Sequence, residues 1–151
     1  MITTITAATT TTTTTPGTTM EPQHHRMCNK LLTTIKNHRW AWPFNQPVDP
    51  EKLGIPDYFT IIKTPMDLGT VDRKLTNDEY PSIYAFASDV RLVWQNCLQY
   101  NQPGSDVVRM AEVLRDLFEN KFQKIDERVK GVITTSSTSS SGKATTVEGS
   151  E

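Results

Sequence analysis

Residues 39–63 read RWAWPFNQPVDPEKLGIPDYFTIIK, and this stretch decides the fold. Pro43, Pro47, Pro50, Gly54 and Pro56 interrupt it too often for a long helix. Yet it also carries Trp40, Trp42, Phe44, Val48, Leu53, Ile55, Tyr58, Phe59, Ile61 and Ile62. A connection this apolar cannot simply be solvated. It must fold back on a scaffold and line something, as long ordered loops in compact domains often do. A short helical turn is expected over Asp57 to Ile62. Trp40 is expected in the core and Trp42 outside it.

On both sides of this loop, apolar residues recur at helical spacing. A first helix is predicted from about Pro22 to His38, with Met27, Leu31 and Ile35 on its stripe, Leu32 widening it, and Pro22 in its first turn. A second begins at Thr64-Pro65-Met66-Asp67, with Thr64 as cap and Pro65 in the first turn. Asp67 either reaches back to the cap or opposes the helix dipole. Leu68, Val71 and Leu75 form its buried stripe, and Asn77-Asp78 ends it. A third spans about Ser82 to Tyr100, with Ile83, Phe86, Ala87, Val90, Val93, Trp94 and Cys97 on one side. A fourth starts near Ser105-Asp106, with Ser105 as cap, and runs to about Lys130 before Gly131 stops it. Its stripe is Val107, Met110, Ala111, Leu114, Leu117, Phe118, Phe122 and Ile125.

No β-alternation of useful length interrupts this pattern. The fold class is therefore all-α, an antiparallel four-helix bundle with a long ordered loop between helices 1 and 2. That loop and the short connection from Asn101 to Gly104 each follow an odd-numbered helix, so both lie at one pole. The geometry sets Trp42-Pro43-Phe44 beside Tyr100-Asn101 and opens a pocket between them.

The chain has 151 residues, and not all of them can be domain. Residues 1–20 are a Thr-rich segment and 133–151 a Ser/Thr-rich tail. Neither has the apolar periodicity to offset the entropy of ordering, so both are expected to be disordered. The tail includes the lysine-centred Gly142-Lys143-Ala144, read as solvated. Residues 21–132 suffice for one core.

A net charge of −1 gives no global basic field for nucleic acid. Asp49, Glu51, Asp57 and Asp106 flank the motif residues, either as an acidic rim suited to a basic peptide or as ordinary loop charge. Cys28 and Cys97 sit in helical patterns, which suits reduced, packed thiols. No run approaches a transmembrane span, and no signal or transit pattern opens the chain, so a nuclear or cytoplasmic setting is expected, with no membrane partner.

The ordered segments match a known family. Ala41-Trp42-Pro43-Phe44, Pro47-Val48-Asp49, Pro56-Asp57-Tyr58, Ile61-Ile62-Lys63-Thr64-Pro65-Met66-Asp67, Asn96-Cys97, Tyr100-Asn101 and Met110-Ala111-Glu112 follow in order over about Gln23 to Lys130. The chain resembles a bromodomain, most closely the modules of the BET (bromodomain and extra-terminal) family. The resemblance implies a left-handed four-helix bundle that binds N-acetyl-lysine. It assigns Asn101 as donor to the acetyl carbonyl and Tyr58 as holder of a bridging water. Trp42, Pro43 and Phe44 match the shelf, and Val48, Leu53 and Ile55 the loop wall. Cys97 and Tyr100 match the third-helix wall, and Val107 the gatekeeper. Acetylated histone tails are the implied partners, with chromatin, transcription and the nucleus as the setting. BET proteins carry two bromodomains and a further domain, whereas this chain shows one, so bivalent binding does not transfer.

Elementary chemistry supports the same roles. An acetylated lysine is neutral and carries one strong acceptor, which a side-chain amide can satisfy. An unmodified lysine would bring an ammonium into apolar surroundings at a large desolvation cost. Catalysis is not expected: no nucleophile elbow, phosphate loop or Cys–His spacing is present. His24 and Cys28 could share a helix face, but no paired zinc spacing accompanies them, so neither metal nor cofactor is expected. The rivals are a protein-interaction scaffold that keeps the fold without reading acetylation, and a reader of acetylated non-histone proteins. The chain is expected to act as a monomer.

Overall fold

Four long helices carry the apolar stripes and pack them inward. The computed structural model describes residues 19–138, and their side chains over 19–131. The Thr-rich stretch through residue 18 and the tail from residue 139, with Gly142-Lys143-Ala144, lie outside the described residues. In chain order the α-helices are α1 (Pro22–Lys36), α2 (Pro50–Leu53), α3 (Tyr58–Ile61), α4 (Leu68–Thr76), α5 (Ile83–Tyr100) and α6 (Asp106–Thr138). A single 3-10 turn over Trp42–Phe44 precedes α2. No strand occurs among the described residues. Helix α1 packs on α4, α5 and α6, and α5 packs between α4 and α6.

The core is built from Leu31, Leu32 and Ile35 of α1, Leu68, Val71 and Leu75 of α4, Phe86, Val90 and Trp94 of α5, and Leu114 and Phe118 of α6, all buried. Burial of each such side chain stabilises the fold by ~1.5–3 kcal/mol before entropy is subtracted. Aromatic edges run through it: Tyr80 on Phe86 at 6.0 Å, Phe86 against Phe118 at 6.2 Å, and Phe118 stacked on Phe122 at 5.5 Å. A guanidinium fork from Arg91 to Glu119, at 2.7 and 2.8 Å, ties α5 to α6 at the surface. His25 Nε2 lies 2.8 Å from Leu75 O, joining α1 to the end of α4.

Several expectations need correction. Helix α4 starts later than the Thr64-Pro65 reading: Asp67 is the cap, accepting from Thr70 N at 2.9 Å and from the Thr70 hydroxyl at 2.6 Å. An acceptor that satisfies two donors at once outcompetes a hydroxyl three residues earlier. Ser105 occupies the position before α6, and its carbonyl accepts from Arg109 N at 3.0 Å, but its buried Oγ has no partner among the described residues. Helix α6 does not stop at Gly131 but continues to Thr138. A glycine in a helix costs only ~1 kcal/mol, which cannot break a helix of 33 residues. Cys28, rather than Met27, faces the core from α1, and Met20 is buried just ahead of that helix. Trp40 is 38% exposed: its backbone N–H bonds His38 Nδ1 at 3.0 Å, and Ala41 takes the inward position instead. A methyl there lets the loop backbone approach the core closely.

The long loop is ordered by its own caps and by anchors on the helices. Asp49 caps α2 by accepting from Lys52 N at 3.2 Å, and Gly54, at φ +70°, ends it in the left-handed region. Asn45 donates to Lys36 O at 3.2 Å. A Cβ at Gly69 would lie 2.6 Å from Asn45 O, so loop and α4 meet at backbone contact, which only glycine permits.

Candidate functional site

At the pole where the loop meets the α5–α6 connection, a cleft of about 710 Å³ opens. All eleven residues singled out from sequence line it: Trp42, Pro43, Phe44, Val48, Leu53, Ile55, Tyr58, Cys97, Tyr100, Asn101 and Val107. They come from three places in the chain, and the loop brings them together.

The shelf is the 3-10 turn, pre-set by Pro43 and closed by Phe44 N donating to Ala41 O at 2.8 Å. Phe44 is buried with its ring edge on Trp94, centroids 5.6 Å apart, so the shelf stands on the core. Trp42 is 70% exposed and forms the outer lip. Val48, Leu53 and Ile55 form the facing wall, with Leu53 at its open rim.

Tyr58 opens α3 and is buried, with its ring edge on Tyr100 at 5.0 Å. Burial pushes its phenol up from the ordinary value, with the neighbouring Cys97 adding to the effect. Asn101 caps α5. Its backbone N–H donates to Cys97 O at 3.0 Å, and Nδ2 donates to the same oxygen at 3.0 Å. An amide nitrogen carries two hydrogens, and Nδ2 also lies 3.7 Å from Cys97 Sγ, so its second hydrogen is held only by a weak sulfur acceptor that a stronger carbonyl can displace. The helix-cap role and a ligand-binding role are therefore compatible here. Cys97 is buried, with Sγ 3.6 Å from Val107 O, linking α5 to the first turn of α6.

The floor contains three residues that sequence reasoning gave to helix stripes or motif segments and not to the site: Met66, Val93 and Met110. A signal for two of them existed. Val93 lies one turn before Cys97, and Met110 one turn after Val107, on the same helix faces. Asp67 also lines the cleft, but its carboxylate serves the α4 cap. Of the four acidic residues noted near the motif, Asp49 and Asp106 line the cleft. Asp57 accepts from Tyr100 Oη at 2.6 Å, and Glu51 is exposed on α2 outside the lining.

The thiols are unsuited to nucleophilic work. Burial pushes Cys97 up to about 11, with the Asn101 hydrogen bond pulling down and the Glu112 charge pushing up. Burial alone pushes Cys28 up to about 12. At pH 8 both are expected to react with iodoacetamide far more slowly than a free cysteine, and at ordinary rates once unfolded. Fast labelling of the folded chain would contradict this. The sign for stability follows from the same shifts. A folded state that keeps its thiol proton longer than the unfolded state has the full contribution below about pH 9 and loses it as pH rises toward 11. Among the described residues no group of three His, Cys, Asp or Glu is placed to hold a metal ion.

Comparison with known proteins agrees with the helical fold. The bromodomain family profile matches residues 28–113. Transcription factor GTE9 of Arabidopsis thaliana is 45% identical over 106 residues, covering 70% of this chain and 15% of that protein. Transcription factor GTE5, chloroplastic, of the same plant is 49% identical over 104 residues, covering 69% of this chain and 21% of that protein. Transcription factor GTE3, chloroplastic, also of Arabidopsis thaliana, is 46% identical over 108 residues, covering 72% and 23%. The chain thus spans less than a quarter of the length of each of these relatives.

Proposed function

The chain belongs to the bromodomain family, and on that premise we propose that the cleft reads N-acetyl-lysine, with Asn101 donating to the acetyl carbonyl and Tyr58 acting on the same oxygen through water. One observation carries the reading. Asn101 is pinned by Cys97 O at 3.0 Å, and its second amide hydrogen has only the Cys97 thiol, a weak acceptor at 3.7 Å, to give up for a carbonyl in a cleft whose walls are mostly apolar. Such a site accepts a neutral acyl group and rejects an ammonium, which would find little to replace its water. Acetylation is then sensed chiefly as removal of charge. Few ligand atoms are buried, so one mark binds in the micromolar to millimolar range, roughly −4 to −8 kcal/mol.

Basic, acetylated histone tails are the ligands this reading favours. Asp49 and Asp106 line the cleft together with Lys52, and the carboxylates outnumber that one cation, which suits cationic flanks. The matched relatives are named transcription factors, which supports a role in chromatin and transcription in the nucleus. Two of their names also say chloroplastic. A fluorescent fusion of this chain is expected at the nucleus. An array of acetylated histone and non-histone peptides separates the two ligand sources, since the side chain is common and the flanks differ.

Tyr58→Phe tests the water-mediated role. It is expected to weaken acetyl-peptide binding by roughly two- to five-fold, because a bridging water can rearrange onto other groups. Calorimetry on both variants should place this loss below that of Asn101→Ala. The reverse order would mean that the two roles are wrongly assigned.

A further inference from the structure

Three side chains near the end of α5 reach out and hold the second half of the long loop. Asn96 Nδ2 donates to Thr64 O at 2.8 Å, Gln99 Nε2 to Ile61 O at 3.3 Å, and Tyr100 Oη to Asp57 Oδ1 at 2.6 Å. The partners are 32, 38 and 43 residues away in sequence. A loop with so little regular structure needs such outside pins to hold one conformation. The shortest of the three is the Tyr100 bond, an O–H donated to a carboxylate at the exposed rim of the cleft. It also differs in kind, because the Tyr100 ring meets the Tyr58 ring edge-on at 5.0 Å. One side chain thus holds two successive loop residues, Asp57 by its hydroxyl and Tyr58 by its ring. Asp57 is free for this role: it precedes α3 but makes no side-chain cap bond there.

We propose that Tyr100 and Asp57 are a positioning pair that sets Tyr58 for the acetyl group. The inference rests on the acetyl-lysine reading and adds to it a lock between loop and helix. Tyr100 then acts through Asp57 and Tyr58, besides lining the wall. The lock is geometric, so it needs an acceptor at residue 57 and not a charge.

The test uses the full chain and an acetylated histone-tail peptide in calorimetry, with thermal melts and amide hydrogen exchange on the free protein. Tyr100→Phe keeps the ring and removes the hydrogen bond. It should lower affinity about five-fold, which corresponds to ~1 kcal/mol, while the melting temperature moves little. Asp57→Ala should match it, and the double variant should lose no more than either single one. Asp57→Asn retains an acceptor and should bind within about two-fold of the parent, since only the charge assistance is lost. In the Tyr100→Phe background, Tyr58→Phe should cost little further. The Ile61 and Ile62 amides, bonded to Asp57 O and Tyr58 O at 3.2 and 2.7 Å, should exchange faster when the lock is gone. Unchanged affinity for Tyr100→Phe, or additive losses for the pair, would overturn the proposal. If the parent chain does not bind the acetylated peptide, the reading of the cleft fails and the positioning role fails with it; exchange at Ile61 and Ile62 then still decides whether the lock holds the loop.

Discussion

Asn101→Ala is expected to weaken acetyl-peptide binding by roughly 5- to 150-fold. That range corresponds to the ~1–3 kcal/mol lost when a buried acceptor has no donor. On the proposed reading the acetyl carbonyl leaves water on entering the cleft, and Asn101 Nδ2, oriented by its contact with Cys97 O, exchanges the weak Cys97 Sγ contact for it. Alanine takes away both the donor and its contact with Cys97 O. Because that contact also caps α5, stability should fall by ~0.5–1.5 kcal/mol as well, the ordinary worth of one such bond. The two losses are separable. Calorimetry well below the melting transition reads affinity, and a urea titration reads stability. Affinity unchanged alongside a stability loss would reduce Asn101 to a helix cap.

The largest expected stability effect is at Trp94. Trp94→Ala should destabilise the fold by about 3 kcal/mol, the low end of the ~3–5 kcal/mol typical of an aromatic-to-alanine change in a core. Two observations set that choice. Trp94 is only 2% exposed and supports Phe44 edge-on, so its removal opens a cavity beneath the shelf. Its indole Nε1, however, is buried with no hydrogen-bond partner among the described residues, so alanine also removes an unfavourable burial. A loss of this size lowers the melting temperature by roughly 10–20 °C in a domain of about a hundred residues. Peptide affinity should fall too, since Phe44 loses its floor. Val113→Ala, at a position 40% exposed on α6, is the control and should stay within ~0.5 kcal/mol. A loss below 1 kcal/mol at Trp94 would mean that the shelf does not depend on the core beneath it.

Much of this arrangement was legible in the residues. The apolar period located the four long helices, because their stability comes mostly from burying one face. Breaker residues located the loop, and its apolar content implied that it lines a cavity. The pole shared by Asn101 and Trp42 followed from counting helices. What escaped the sequence was decided by competition between nearby groups. Thr64-Pro65 and Asp67 both read as a helix start, and only the fold shows Asp67 satisfying two donors of Thr70. Trp40 and Trp42 are equally apolar, and the difference lies in Ala41 taking the inward position between them. Gly131 reads as a stop, yet α6 passes through it. The floor residues Val93 and Met110 looked like plain core because a stripe that faces a core and a stripe that faces a cleft have the same period. The lock from Tyr100 to Asp57 spans 43 residues, and no local pattern encodes a contact at that distance.

The central claim is that the cleft distinguishes an acetylated lysine from a charged one. Its most direct test is a titration of the full chain with a pair of histone H4 tail peptides, one acetylated and one unmodified, followed by NMR shifts. The expected result is micromolar-to-millimolar binding of the acetylated peptide alone, with shifts at Asn101, Tyr58 and Val107. Equal binding of both peptides, or shifts confined to surfaces away from those three residues, would contradict it.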